Sequence, residues 1–133
     1  MNAVESTVSE WSGVEIGPHD RGGTEFTLDG REFGHVHGER LVDIPFTKRI
    51  RDVLIDEERA EKHHVVPDSG WVSSHVRSEE DVAGAIWLLR LSYLYHLTVL
   101  RTQGRRPVSD TVDIDAELSE LDVSEPIHEA FTD

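Results

Sequence analysis

Residues 24–44, TEFTLDGREFGHVHGERLVDI, decide the fold, because they read as three β-strands joined by two tight turns. Asp29-Gly30 and Gly38-Glu39 stand where two-residue loops would reverse the chain, and Asp-Gly is a strong hairpin signal because both loop positions tolerate positive φ. Counting outward, Leu28 faces Arg31, Phe26 faces Phe33 and Thr24 faces His35. Across the second turn His37 faces Arg40, His35 faces Val42 and Phe33 faces Ile44. Side chains alternate faces along a strand. This register therefore puts His35 and His37 on the oily face with Phe26, Leu28, Phe33, Val42 and Ile44, and leaves Glu25, Thr27, Glu32, Val36, Leu41 and Asp43 on the other. A core-side imidazole needs a partner, so the pair is expected either as hydrogen-bonded structural histidines or as the floor of a pocket.

Outward from this meander, Pro45 ends the third strand and Thr47 suits the N-cap of a helix with Ile50, Val53 and Leu54 on its inner face. HHVVPDSGWVSSHV reads as a second hairpin with Pro67 to Gly70 as its loop, setting Val66 opposite Trp71, His64 opposite Ser73 and Lys62 opposite His75. His64, Trp71 and His75 then share a face, and His63 lies on the other. Ser78, followed by Glu79, Glu80 and Asp81, caps a long helix whose Val82, Ala85, Ile86, Leu89, Tyr93, Leu97 and Leu100 recur at three and four. Upstream, Val4, Val8 and Trp11 suggest a short helix, and Val14 to Ile16 a short strand before the breaker-rich GPHDRGG. The prediction is an α+β domain over 13–103, an antiparallel sheet of five or six strands with two helices packed on one face. An N-terminal helix (1–12) precedes it, and an acidic tail (104–133) follows.

A chain of 133 residues is one domain long, and without cysteine it can hold neither a disulfide nor a thiolate metal site. Its 27 acids against 13 bases give a net charge of -14, and only Lys48 and Lys62 are lysine. That composition suggests a halophile surface kept solvated by carboxylates. Residues 108–133 carry no Lys or Arg, so the tail is expected to be disordered, with at most a short helix around 115–121. The N-terminus lacks a basic region followed by an apolar run, and no stretch of about 18 apolar residues occurs, so a soluble cytoplasmic protein without a membrane partner is expected.

Three chemistries compete for the histidines. Metal binding draws on His35-x-His37, two imidazoles on one face about 7 Å apart in Cα, with His64 as a further candidate beside His63 and His75. The predicted parity turns Asp43 away, and no HExxH or comparable spacing is present. A small-ligand pocket draws on His35, His37, Arg40, His64, Trp71 and His75, with Arg49 and Arg51 near a helix N-terminus to favour an anionic ligand. The plainer reading pairs those two arginines with Asp52, Asp56 or other carboxylates. For catalysis, His35, His37 or His75 are candidate bases, but Ser69, Ser73 and Ser74 lie in no G-x-S-x-G elbow, and GPHDRGG lacks the Lys-Ser/Thr of a phosphate loop. Nucleic-acid binding would rest on residues 47–51 and on Arg101, Arg105 and Arg106, and the overall charge opposes it. No cofactor and no oligomeric state follow from the residues.

GGTEF, HVHG leading to LVDIPF, the RD after it, HHVVPDSGW, and RSEEDV running into LLRLSY together resemble a family of small luciferase-family, or luciferase-domain, proteins common in actinobacteria and haloarchaea. The likeness spans roughly residues 13 to 100 and departs mainly at the ends. It implies a small α+β domain and no defined reaction, since the chain is too short for a flavin-dependent luciferase barrel of about 250 residues. The layout, with Ser92-Tyr93 in the last helix, also resembles the MmcQ/YjbR double-wing proteins at the level of fold. Residues and resemblance together favour a ligand-binding or regulatory module, with a small metal- or histidine-dependent enzyme as the alternative and a nucleic-acid-binding domain third.

Overall fold

The computed structural model describes residues 3–19, 23–38, 40–63, 66, 68–105 and 112–131. Its elements are α1 (Ala3–Ser9), β1 (Val14–His19), β2 (Gly23–Leu28), β3 (Arg31–His37), β4 (Leu41–Pro45), α2 (Lys48–Asp56), β5 (Glu61–Lys62), β6 (Trp71–His75), α3 (Glu79–Thr102), α4 (Ile114–Glu120) and α5 (Glu125–Phe131). The six strands form one antiparallel sheet in the order β1-β2-β3-β4-β6-β5. The α+β class is as predicted, with five helices among the described residues rather than two.

Local chemistry accounts for the element ends. Asp29 and Gly30 both take positive φ, 51° and 80°, so β2 and β3 are joined by the two-residue turn the sequence announces. Thr47 Oγ1 accepts the Ile50 N–H at 3.1 Å and starts α2. At α3 the Ser78 Oγ accepts the Asp81 N–H, and the Asp81 carboxylate reaches back to accept the Arg77 N–H at 2.8 Å. By length and composition α3 could cross a membrane. In this fold it is the core helix, burying Leu88, Leu89, Tyr93, Leu97 and Leu100. Its buried His96 accepts the Arg31 Nε–H at 2.7 Å through Nδ1 and donates from Nε2 to Pro45 O at 2.9 Å. Burial, reinforced by the Arg31 charge, lowers its pKa to about 4 despite the Pro45 hydrogen bond.

The predicted register fails at one residue, and the failure reverses the faces of β3 beyond it. Leu28 pairs with Arg31 as expected, but a β-bulge follows, so Phe26 pairs with Gly34, Glu25 with His35 and Thr24 with Val36. Phe33 is the extra residue. Its ring stays in the core, 6.0 Å from Phe26 and 5.7 Å from Tyr93, and its carbonyl accepts the Ser92 hydroxyl at 2.7 Å. Gly34 then takes the next core-facing position, where a Cβ would lie 2.4 Å from Leu89 Cδ2. Any larger residue would push the buried Leu89 side chain of α3 aside. With two consecutive residues turned inward, alternation resumes out of phase. Val36 goes to the core, 1% exposed, and His35 and His37 point to the opposite face. The expectation that these imidazoles share the space of the phenylalanines is therefore wrong.

The second turn also departs from the count. His37 pairs with Leu41, enclosing three residues rather than two, and His35 pairs with Asp43 rather than Val42. Asp43 thus shares a face with the histidines. β6 continues the pattern, with Ser73 beside Asp43 and His75 beside Leu41. In the second hairpin Lys62 pairs with Val72 and Glu61 with Ser73, so the loop is longer than the Pro67–Gly70 turn that had been counted. His64 lies outside the described residues.

The acidic C-terminal segment, expected to be disordered with at most a short helix, instead folds over its described residues into α4 and α5. Leu118, Ile127, Ala130 and Phe131 are buried in the common core, and Phe131 meets Tyr95 edge to face at 5.6 Å. Net charge misled here because Leu118, Ile127, Ala130 and Phe131 fall on the inward sides of two short helices.

Candidate metal centre

Asp43 occupies the middle of β4 and is completely buried. A carboxylate removed from water at a cost of several kcal/mol needs compensation, and the neighbouring strands supply it. From β6, the Ser73 hydroxyl donates to Asp43 Oδ1 at 2.6 Å. Three imidazoles gather around the other oxygen. His35 Nε2 lies 3.2 Å from Oδ2, His37 Nε2 3.1 Å and His63 Nε2 3.3 Å. Despite these approaches Oδ2 receives no hydrogen bond of acceptable geometry. Trp71 walls the group, its ring 5.2 Å from His35 and 6.1 Å from His63. The His35 and His63 side chains are nearly buried and that of His37 is 32% exposed, so the cluster opens on the His37 side.

Glu32 sets the orientation of His35. Glu32 precedes the bulge and stands on this face opposite Thr27; the bulge turns His35 to the same side, so that Glu32 Oε2 lies 2.6 Å from His35 Nδ1. His35 thus has a carboxylate on each nitrogen. Burial alone would lower its pKa, but Asp43 and Glu32 outweigh that and raise it to about 9. For Asp43, burial is likewise opposed by His35 and Ser73, and its pKa falls to about 2. These two shifts are one attraction viewed from its two ends.

The donor set fits a divalent metal ion. The ligand atoms of His35, His37 and Asp43 lie within 4.8 Å of one another. Neutral imidazole nitrogen and carboxylate oxygen bind zinc at about 2.0–2.1 Å, which sets the edge of a coordination tetrahedron at about 3.3–3.4 Å. The 3.1 and 3.2 Å separations from His37 and His35 to Asp43 Oδ2 are close to that edge. A ligating histidine usually donates its other N–H to a carboxylate, and a ligating carboxylate is itself hydrogen-bonded. Glu32 on His35 and Ser73 on Asp43 have those two roles in place. Two histidines and one carboxylate leave coordination positions for water or a ligand, the arrangement of reactive rather than structural metal sites.

Of the residues singled out from sequence, the fold brings together His35, His37 and Trp71. Arg40 and His75 lie apart from them, both exposed, lining with Val76 and Arg77 a cavity of about 440 Å³. His75 Nδ1 is 2.8 Å from Glu61. Arg49 is exposed on the first turn of α2. Arg51 pairs with Asp52 at 2.7 Å and donates to Ser69 O at 2.6 Å, the plainer reading of that arginine. Asp43, Glu32, Ser73 and His63 are the residues that sequence reasoning did not assign to the site. The available signal was Gly34, a lone glycine in a strand pattern, which marks a bulge or a close backbone approach.

Residues 30–92 match the family model of the luciferase domain. Every residue of the constellation, from Glu32 to Ser73, falls in that stretch, as does Ser92, which holds the bulge. Comparison with curated proteins and with solved structures returned no match.

Proposed function

We propose that this chain, which carries a luciferase domain over residues 30–92, is a small metalloprotein. Its mononuclear centre is held by His35 Nε2, His37 Nε2 and Asp43 Oδ2. The observation that carries the reading is the fully buried Asp43 Oδ2, surrounded by imidazole nitrogens at 3.1–3.3 Å and accepting no hydrogen bond. A buried carboxylate oxygen without a donor is expensive, and a cation bound there would remove the expense. Two imidazoles and one carboxylate suit zinc, iron, manganese, nickel or copper in the divalent state. When bound, such an ion supplies Lewis-acid activation of water or of a small ligand at its open positions. The protein's own contribution is to orient His35 through Glu32, to hold Asp43 through Ser73, and to shield the cluster with Trp71. The anionic ligand expected from the sequence would then be recognised chiefly by the metal rather than by arginines.

Elemental analysis of protein purified without a polyhistidine tag or chelator tests this directly. About one equivalent of a first-row metal is expected, retained on dialysis and lost in His35→Ala, His37→Ala and Asp43→Asn. A wild-type protein that holds no metal after incubation with zinc, cobalt, manganese, nickel or ferrous iron would refute the reading.

A further inference from the structure

The remaining imidazole of the cluster differs from the other two. By distance alone His63 could be a fourth ligand, since its Nε2 stands 3.3 Å from Asp43 Oδ2. Its other nitrogen argues otherwise. A histidine that ligates through Nε2 carries its proton on Nδ1 and donates from there, as His35 is placed to do toward Glu32. His63 Nδ1 instead accepts the Val66 N–H at 3.2 Å. In the neutral ring the proton must then sit on Nε2, the nitrogen that faces Asp43.

The Val66 position is itself held. Val66 O accepts from Ser69 N at 3.0 Å and Ser69 Oγ at 2.7 Å, Ser69 O accepts from Arg51 at 2.6 Å, and Ser69 Oγ accepts the Trp71 N–H at 3.1 Å. Gly70 lets this loop press against the β4–α2 junction, where a Cβ would lie 1.9 Å from Phe46 O. The tautomer of His63 is thus imposed by Val66, which Ser69 holds in place.

Resting on the metal reading above, we infer that His63 is not a ligand but a hydrogen-bond donor to whatever occupies the metal's open position, and that the occupant is a small oxygen-donor anion. A protonated Nε2 cannot bind a metal. It can donate to an electron-rich atom bound beside Asp43, which a carboxylate, hydroxamate, hydroxide or peroxide oxygen supplies. An uncharged nitrogen or sulfur ligand would not use the donor comparably.

The experiment compares wild type with His63→Ala in two measurements, zinc affinity and the affinity of the cobalt-loaded protein for acetohydroxamate, read from the visible absorption of the cobalt. In the variant, zinc affinity should stay within about threefold while acetohydroxamate binding weakens about tenfold or more, the effect of one hydrogen bond to a charged acceptor. Loss of zinc to the extent seen in His37→Ala would make His63 a ligand and overturn the inference. Retained zinc with unchanged acetohydroxamate affinity would overturn it as well. A wild-type protein that binds neither zinc nor cobalt would instead overturn the metal reading, and this inference with it. His63→Phe, which keeps the ring volume and removes both nitrogens, is judged by the same criteria should the alanine variant fail to fold.

Discussion

Raising the pH from 7 to 9 should tighten zinc binding about fiftyfold, because the metal must displace a proton from His35. In the metal-free protein the Asp43 and Glu32 carboxylates overcome the effect of burial and lift the His35 pKa from 6.5 to about 9. Asp43, lowered to about 2, stays ionised throughout, so His35 carries the competition. At pH 7 only about one ring in a hundred offers a free Nε2, a handicap of about 2.7 kcal/mol, since each pKa unit is worth about 1.4 kcal/mol. Affinity should rise about tenfold per pH unit and level off above pH 9. Competition with a chromophoric chelator of known proton affinity measures this between pH 6 and 10. Calorimetry in buffers of different ionisation enthalpy should show about one proton released per zinc near pH 7.5. The metal-free fold behaves in the opposite sense. A raised folded-state pKa contributes stability that is fully present below 6.5 and lost as pH rises through about 9. Zinc should abolish that alkaline loss. A zinc affinity that is flat between pH 7 and 9 in a protein that does bind zinc would refute the assignment of His35 as a protonated ligand.

Three further outcomes follow from the scaffold. Gly34→Ala forces a Cβ to within 2.4 Å of Leu89 Cδ2 and should cost about 1–3 kcal/mol, a fall of several degrees or more in melting temperature, whereas an unchanged melt would show that the bulge does not depend on close approach of α3. His96, lowered to about 4 against 6.5 when unfolded, contributes stability that is present above pH 6.5 and lost as pH falls toward 4, about 3 kcal/mol in all. Urea midpoints should therefore fall less steeply over that window in His96→Gln, and equal slopes would contradict the buried neutral ring. Phe131→Ala should destabilise by about 3–5 kcal/mol, as for other buried aromatics, and a negligible change in urea denaturation would return the C-terminal segment to the status of a tail.

The fold class was legible because its signals are local. Asp29-Gly30 encodes its turn, Thr47 and Ser78 cap their helices, and the three-four spacing from Val82 to Leu100 encodes α3. The site was legible only in its residue types. Its geometry depends on one extra residue at Phe33, held by contacts that cross the sequence, Ser92 to the Phe33 carbonyl and Leu89 against Gly34. Those contacts are 59 and 55 residues apart, and no strand-counting rule contains them. Because side-chain direction has period two, the bulge inverts the assignments that follow it on β3 while the longer second turn leaves those of β4 as counted, which is why Asp43 seemed to face away from the histidines it adjoins. His63 was hidden for another reason, since it lies just beyond the short β5, where no strand count fixes its direction.

The same bulge explains why a polar cluster can exist in so small a domain without undoing it. The sheet divides its faces cleanly. Phe26, Val36, Val42, Ile44 and Val72 meet α3 on one side, and Glu25, His35, Asp43, Ser73 and Glu61 form a row across five strands on the other. A fully buried Asp43 within that row is tolerable only while a positive charge stands beside it. In the metal-free protein the His35 imidazolium, flanked by Glu32, supplies it, and in the loaded protein the metal would take its place as the proton leaves. The two states differ by exchange of a proton for a cation at one position, so the backbone need not move. That makes Asp43→Asn the informative lesion. Removing the charge should abolish metal retention and at the same time bring the His35 pKa down from about 9, whereas a purely structural histidine–aspartate cluster would show only the second effect.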